Sequence, residues 1–111
     1  MEKWIYAVHT NCLELSREKE FNEWYDNVHL PDILETPGVT RATRYEIGEP
    51  AEGQGKFLAL YEVETGDIDQ TMAALRENVS KKREQGRVTE LVSVVSRSLY
   101  KQITKTQASK K

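Results

Sequence analysis

The spacing of apolar and polar positions along the chain predicts four β-strands and two helices. Four segments are rich in β-branched and aromatic residues in the pattern of strands, namely residues 3–10, Val39 to Ile47, Phe57 to Val63 and Arg87 to about Tyr100. Between the first two strands, apolar side chains recur with the spacing of an amphipathic helix; they are Phe21, Trp24, Tyr25 and Val28. A second helical stripe follows the third strand and consists of Ile68, Met72, Leu75 and Val79.

Local signals predict where the two helices begin and end. Ser16 offers its hydroxyl as an N-cap for the first helix. Pro31 disfavours helical geometry at the residue before it, so the first helix is expected to end near His29, with a short second turn possible from the proline onward. Asp67 is the expected cap of the second helix, and Gly86 is expected to end it.

The order of elements predicts an α+β protein of the ferredoxin-like βαββαβ type. In this arrangement, a four-stranded antiparallel sheet carries two helices on one face. Residues 48–56 contain glycines and a proline without periodicity and are expected to form a loop. We expect a single domain over residues 1–100 and a flexible, lysine-rich tail over residues 101–111.

Both faces of the predicted sheet carry apolar side chains. In the third strand one face is expected to hold Phe57, Ala59, Tyr61 and Val63, and the other Leu58 and Leu60. In the fourth strand we expect Leu91, Val95 and Leu99 to lie on one face of the sheet and Val88, Val92 and Val94 on the other. In the second strand one face is expected to hold Val39, Arg41, Thr43, Tyr45 and Ile47. Since two helices cover only one face, the pattern favours a two-fold homodimer with sheet against sheet; the alternatives are a tolerated apolar surface or a docking site for an unrelated partner.

Composition narrows the class of protein. The 111 residues carry a formal charge of −2, which gives no drive toward nucleic acid, and no apolar stretch is long enough to span a bilayer. We therefore expect no nucleic-acid or membrane partner and a cytoplasmic location. The single cysteine, Cys12, excludes an intrachain disulfide and is interpreted as a small semi-buried residue.

The candidate catalytic residues surround the predicted end of the first helix. Tyr25 and His29 are four residues apart, so their side chains share a helix face. Asp32 is placed to accept a hydrogen bond from one imidazole nitrogen, which would leave the other nitrogen free as a base. A tyrosine hydroxyl alongside would steady an enolate or phenolate oxygen. The alternative is structural: the histidine bonds the last carbonyls of its helix, and the aspartate caps the next turn.

Further candidates for ligand contact are His9, Trp24 and Tyr45. His9 shares a strand face with Ile5 and Ala7, where a sheet histidine without a functional role is the alternative interpretation. No metal site is predicted, because His29 and Asp32 supply only two ligands and a zinc or iron site needs at least three.

These residues also carry a family resemblance. The segments from Glu20 to Leu34, Thr36 to Val39 and Ala42 to Tyr45 contain a W-Y…H-L-P-D…P-G-V…A-x-R-Y pattern over about a quarter of the chain. This pattern resembles the dimeric α/β-barrel superfamily, and within it the EthD-like and related small uncharacterised bacterial proteins. The resemblance implies a homodimer whose sheets join into a barrel, with a ligand cleft in each subunit between sheet and helices. His29 matches the histidine of the helix-end motif, but no catalytic role comes with that match.

Three functional hypotheses follow. The first is an enzyme acting on an aromatic or polyketide-like compound, as the superfamily's cofactor-free monooxygenases, cyclases and dehydratases do, with His29 as acid–base and no organic cofactor. The second is a non-catalytic ligand-binding or stress-related module, with haem as a special case and His29 as its axial ligand. The third, RNA binding through the aromatic third strand, is disfavoured by the acidic balance and by the missing glycine and aromatic of RNA-binding strands.

Overall fold

Four strands pair into one antiparallel sheet in the order β2-β3-β1-β4. The computed structural model describes all 111 residues, and the two helical segments pack on one face of the sheet. The predicted α+β, ferredoxin-like fold is therefore confirmed. The strands are β1 (Glu2–Cys12), β2 (Val39–Glu46), β3 (Phe57–Thr65) and β4 (Val92–Lys101).

The first helical segment is one continuous helix made of three parts. A 3₁₀ turn over Leu15–Arg17 leads into α1 (Glu18–Trp24), a π-helical turn (Tyr25–His29) and α2 (Leu30–Ile33). The second helical segment is α3 (Ile68–Glu84). None of these helices is long and apolar enough to cross a membrane.

Both predicted ends of the first helix are wrong. Ser16 lies inside the 3₁₀ turn, and the residue that precedes α1 is Arg17, without a side-chain cap. At the other end, the helix continues past His29 to Ile33. Pro31 does not stop it, because the proline directly follows the π-helical turn, where the regular α-helical hydrogen-bond pattern is already interrupted. The short turn that the sequence allows from the proline onward is therefore present as α2.

The predicted ends of the second helix are confirmed. A carboxylate oxygen of Asp67 accepts a hydrogen bond from the backbone N–H of Gln70 at 3.1 Å, as an N-cap does. Gly86 adopts a φ of +73° just after the helix, a conformation that favours glycine. The fourth strand begins at Val92 rather than at the predicted Arg87, because residues 87–91 cross from the end of α3 to the sheet.

A one-residue irregularity in β2 changes which residues share a face. Val39 pairs with Val63, whereas Arg41 pairs with Glu62, so Thr40 is an extra residue in this strand. Val39 consequently lies on the helix-covered face and is buried, while Arg41 lies on the open face. The prediction that these two residues share a face is wrong.

A second irregularity has the same effect in β4. His9 pairs with Ser96, but the next residue of β1, Thr10, pairs with Val94, so Val95 is an extra residue. Val94 faces the helices and Val95 the open side. Leu99 pairs with Tyr6 on the helix side, so the predicted common face of Val95 and Leu99 is wrong.

The core lies between the sheet and the helices, with an aromatic cluster at its centre. Phe21 is fully buried and contacts three other rings, at centroid distances of 5.5 Å (Phe57), 5.6 Å (Tyr25) and 6.4 Å (Trp24). The cluster holds the π-helical turn against β3. The predicted inward face of β3 is confirmed, since its buried residues are Phe57, Ala59, Tyr61 and Val63.

The opposite face of the sheet is not covered by any helix. Leu58 and Leu60 of β3 lie there half-buried beside Ile5. Tyr45 and Tyr100, on the outer strands of the same face, are 52% and 58% exposed. This open face, defined by these five residues, is the second apolar surface that the sequence predicts.

Candidate functional site

The π-helical turn brings two aromatic rings onto His29. The N–H of Leu30 donates to the carbonyl of Tyr25, five residues back, as is typical of a π-helix. Because a π turn holds more than four residues, side chains four and five positions apart both become neighbours. Tyr25 accordingly meets the imidazole edge to face at 5.0 Å, and Trp24 stacks on it at 4.8 Å with 22° between the planes. The predicted proximity of Tyr25 and His29 is thus present, and Trp24 joins it.

The imidazole of His29 is uncharged at neutral pH. Burial lowers its pKa to about 4, the nearby guanidinium of Arg44 acts in the same direction, and Asp32 opposes both. Neither ring nitrogen has a hydrogen-bond partner in the protein, and the ring forms part of a cavity wall. A neutral imidazole of this kind can accept a proton or a hydrogen bond from a molecule in the cavity.

Asp32 does not contact His29 in the predicted way. Its carboxylate is 4% exposed and accepts two hydrogen bonds from Arg87, from Nε at 2.7 Å and from Nη2 at 2.9 Å. This ion pair lowers the pKa of Asp32. Its backbone carbonyl also accepts from the amide of Asn78 at 2.8 Å. With both oxygens engaged, Asp32 fastens α2 to α3 and to the segment after it, and the predicted hydrogen bond to the imidazole is not formed.

The cavity next to His29 lies between the sheet and the helices and has a volume of about 760 Å³. Its wall includes four aromatic side chains besides the imidazole: Tyr6, Trp24, Tyr25 and Tyr61. Aliphatic side chains from β1, α2, α3 and β4 cover most of the remainder; they include Val8, Ile33, Met72, Leu75, Val79, Val92 and Val94. A wall of this composition suits a planar, largely apolar molecule.

The phenols of the cavity wall stay protonated at neutral pH. Burial raises the pKa of Tyr6, of Tyr25 and, most strongly, of Tyr61, which lies close to the Tyr25 hydroxyl. Their hydroxyls are therefore hydrogen-bond donors in the cavity. A donor next to a base is the arrangement that stabilises an oxygen as it becomes negative.

Arg44 supports the far side of Tyr25. Its guanidinium lies 4.3 Å from the centre of the Tyr25 ring and donates to Asp26 at 2.9 Å and to Asn22 at 2.8 Å. Arg44 thereby ties β2 to the helix that carries His29. It does not line the cavity, and it lies on the face of β2 opposite to that of Arg41.

Two of the predicted ligand-contacting residues lie on the other side of the sheet. His9 and Tyr45 both pair with Leu58 and line a depression of about 500 Å³ on the open face. There Nδ1 of His9 is 3.1 Å from Oγ of Ser96. The sheet separates these two residues from His29, so His9 and Tyr45 do not line the cavity beside the imidazole. Of the three, only Trp24 lines the cavity, where its indole N–H also donates to the carbonyl of Arg87 at 2.9 Å.

Three arginines in the cavity wall were missed by the sequence analysis. They are Arg76 and Arg83 of α3 and Arg97 of β4. A signal was present for the first two: each is four residues after an apolar position of the α3 stripe, Met72 or Val79, and so lies on the same side of the helix. Arg97 could not be assigned without the bulge at Val95, which decides the face of each residue that follows it in β4.

No three side chains of the types that bind metal ions, His, Cys, Asp or Glu, are grouped together in the structure. The two acidic residues closest in sequence to the imidazole, Asp26 and Asp32, are engaged by Arg44 and Arg87 respectively. The chemistry available in the cavity is therefore that of a base, phenolic donors and guanidinium groups.

Comparison with protein families gives one match. The family model described as "Domain of unknown function (DUF4286)" matches residues 3–89, which is most of the chain. No curated protein matches the sequence. The description of this family names no activity.

Solved structures with the same fold cover nearly the whole chain. A dimeric ferredoxin-like protein from an uncultured marine organism is 10% identical with a TM-score of 0.67, covering 96% of this chain and 100% of its own. An EthD family protein from Bacillus halodurans is 16% identical with a TM-score of 0.54, and the match covers 93% of this chain and 100% of its own. SnoaB, a cofactor-independent oxygenase from Streptomyces nogalater, is 11% identical with a TM-score of 0.59, and the match covers 100% of both chains. The predicted resemblance to the dimeric α/β-barrel superfamily is confirmed at the level of the fold.

Proposed function

We propose a function for this chain on the premise that it belongs to the DUF4286 family and has a ferredoxin-like fold: the cavity binds a small aromatic or polyketide-like molecule, and His29 accepts a proton from it. The observation that carries the proposal is a neutral imidazole without a protein hydrogen-bond partner in the wall of an aromatic-lined cavity of about 760 Å³. An enzyme of this kind needs no organic cofactor for proton abstraction.

The proposed chemistry is the removal of an acidic proton from the bound molecule. The proton leaves an O–H or activated C–H bond and goes to a nitrogen of His29, while the electron pair remains on the ligand as a phenolate or enolate. The Tyr25 ring lies beside the imidazole, with 5.0 Å between the ring centroids, and its hydroxyl would donate a hydrogen bond to the developing oxyanion. Such an anion is a common first intermediate of oxygenation (with dioxygen as co-reactant), cyclisation and dehydration, the reaction types proposed here.

The binding step can be tested with an uncharged fluorescent dye, phenylnaphthylamine. Val94 lines the cavity near its edge, so Val94→Trp is expected to fill the cavity and to weaken dye binding by about tenfold or more. Fluorescence titration of wild type and variant measures this difference. Leu13→Trp, at an exposed position outside the cavity, is the matched control and should bind like the wild type. Undiminished binding to a folded Val94→Trp variant would overturn the proposal.

We also propose that two copies of the chain associate through the open face. Leu58, Leu60 and Ile5 form an apolar centre there, and no helix covers it. Each large apolar side chain left in water forgoes roughly 1.5–3 kcal/mol, which is substantial for a domain with a total stability of about 5–15 kcal/mol. The structurally similar protein from the uncultured marine organism is a dimeric ferredoxin-like protein, which supports this proposal.

Leu60→Glu is expected to convert a dimer of the 12.8 kDa chain into a monomer, because a carboxylate would be buried without a partner at the centre of the interface. Sedimentation velocity at micromolar concentration measures the change. Leu15→Glu places the same charge at an exposed position of the 3₁₀ turn that leads into α1, and it should leave the dimer intact. A wild-type protein that is monomeric and stable at this concentration would contradict the proposal.

Haem binding is the second candidate function. Two features favour it: the imidazole of His29 is neutral, as an axial ligand must be, and the arginines of the cavity wall suit the propionates. On addition of haem, a shifted Soret band that disappears in His29→Gln would support this candidate over the proposed enzyme. A spectrum that is the same in both proteins would exclude it.

A further inference from the structure

The arginines of this protein divide into two groups by their ion pairs. Each arginine outside the cavity has a carboxylate partner within 4.0 Å: Arg17 pairs with Glu20, Arg41 with Glu62, Arg44 with Asp26 and Arg87 with Asp32. The three arginines in the cavity wall, which are Arg76, Arg83 and Arg97, form no ion pair. The unpaired positive charge of the arginine side chains is therefore concentrated in one place.

This concentration is unexpected from the composition. The chain has 18 acidic and 16 basic residues and a net charge of −2, so carboxylates are available to pair with every arginine. Yet the cavity wall contains no aspartate or glutamate at all. Because the three exposed guanidinium groups face no carboxylate in this wall, the cavity attracts anions although the whole protein is acidic.

Two of the three guanidinium groups share the cavity wall with Tyr6. Val8 pairs with Arg97 and Tyr6 pairs with Leu99, so Arg97 is a diagonal neighbour of Tyr6 on the helix-covered face, and Arg76 lines the same cavity from α3. Both guanidinium groups also lower the pKa of Tyr6, against the larger effect of burial. Arg83 is seven residues after Arg76, about 10 Å further along the helix axis. Two of the guanidinium groups, those of Arg76 and Arg97, are therefore grouped with Tyr6. The third, that of Arg83, lies toward the C-terminal end of α3.

We infer that Arg76, Arg97 and the Tyr6 hydroxyl form a seat for the acid group of an aromatic ligand. Guanidinium groups and a phenolic O–H are all donors, and a carboxylate can accept from each of them. The inference rests on the proposed function of the same cavity and adds the class of ligand, an aromatic acid. His29 lines the cavity from a different element, the π-helical turn, whereas Arg76 and Arg97 line it from α3 and β4. The ligand consequently presents its acid group at one position and its transferable proton at another.

A pair of dyes tests the seat separately from the cavity. Anilinonaphthalene sulfonate has the skeleton of phenylnaphthylamine with an added sulfonate, which stands in for the carboxylate. The wild type is expected to bind the sulfonate dye more tightly than the neutral one, and increasing salt should reduce this preference. In Arg76→Met/Arg97→Met, binding of the sulfonate dye is expected to weaken by roughly tenfold or more, while binding of the neutral dye changes by less than about twofold.

A control variant removes one positive charge elsewhere on the same helix. Lys81→Met is exposed and outside the cavity, so it should leave both affinities unchanged. Cooperative urea unfolding of the double variant must be retained, since partly unfolded proteins also bind the sulfonate dye. Equal affinity of the wild type and the double variant for the sulfonate dye would overturn the inference. Failure of Val94→Trp to block the neutral dye would instead overturn the proposed function, so the two failures are distinguishable.

Discussion

Replacement of His29 by glutamine is expected to slow proton abstraction in the cavity by about a hundredfold or more, within the range ascribed to a positioned general base. A nitrobenzisoxazole is a suitable probe, because it is small, planar and aromatic and is opened by the removal of one proton. The base takes the C–H proton, the electron pair of that bond completes a nitrile, and the ring N–O bond breaks to leave a coloured phenolate. Glutamine keeps a hydrogen-bonding side chain of similar length but cannot take up a proton at these pH values.

The pH dependence identifies the base in this reaction. Since burial lowers the pKa of His29 to about 4, the rate is expected to rise from pH 3 to about pH 5 and to remain level through neutrality. An exposed histidine would give its midpoint near 6.5 instead. The rate profile of the wild type, measured by the absorbance of the phenolate, distinguishes these cases.

The matched control is His9→Gln, the same substitution at the only other histidine, on the opposite face of the sheet. It should leave the rate and its pH profile unchanged. Two results would contradict the role proposed for His29: a wild-type rate of proton abstraction no higher than the rate in buffer, or an unchanged rate in His29→Gln. Neither result would contradict the proposed ligand cavity or its arginine seat.

The same histidine links pH to stability. Its pKa is lower in the folded protein than in the unfolded chain, so below pH 6.5 the unfolded chain takes up a proton that the folded protein excludes. Stability is therefore expected to fall as the pH is lowered from about 6.5 to 4, by an amount on the order of 1–3 kcal/mol given the partial exposure of the ring. This dependence should be reduced in His29→Gln.

The largest loss of stability is expected from Phe21→Ala, at about 3–5 kcal/mol. Phe21 is fully buried and packs against Trp24, Tyr25 and Phe57, so alanine leaves a cavity at the centre of the aromatic cluster. Equilibrium unfolding in urea measures the change. Because a domain of this size has about 5–15 kcal/mol in total, the variant is expected to be close to the limit of folding.

A matched substitution separates burial from loss of an apolar side chain. Leu15→Ala, at a position that is 79% exposed, should change the free energy of unfolding by less than about 0.5 kcal/mol. A milder variant, Phe21→Leu, keeps most of the volume and should be destabilised by less than the alanine variant. Similar free energies of unfolding for Phe21→Ala, Phe21→Leu and Leu15→Ala would contradict the proposed contribution of Phe21 to the core.

The order of elements and the inward face of β3 were predictable because apolar side chains repeat every two residues in a strand and about every 3.6 residues in a helix. Strand alternation and the helical stripe through Leu75 are properties of local sequence, and the cap at Asp67 and the glycine at position 86 are local as well. The apolar second face of the sheet was predictable for the same reason. These features need no knowledge of tertiary contacts.

The site was predictable only in part, because its geometry depends on departures from those periods. A period of 3.6 residues places Tyr25 near His29, but only a π turn also stacks Trp24 on the imidazole. Asp32 was assigned to His29 by proximity in sequence, whereas its partner Arg87 is 55 residues away. The extra residue at Val95 decides that Arg97 faces the cavity, and no local pattern indicates a bulge of this kind.

The π-helical turn has a consequence for how this site can vary among related chains. The number of residues between the aromatic pair Trp24–Tyr25 and His29 decides how the two rings are placed relative to the imidazole. Exposed residues of the turn, such as Asn27, add to this number but make no contact in the core. Deleting Asn27 would leave about one α-helical turn in place of the π turn, which would change the position of the imidazole relative to both aromatic rings and to the cavity. Substitutions at that position should therefore be tolerated during evolution while single-residue deletions are not, and homologous sites should be recognised by spacing rather than by identity.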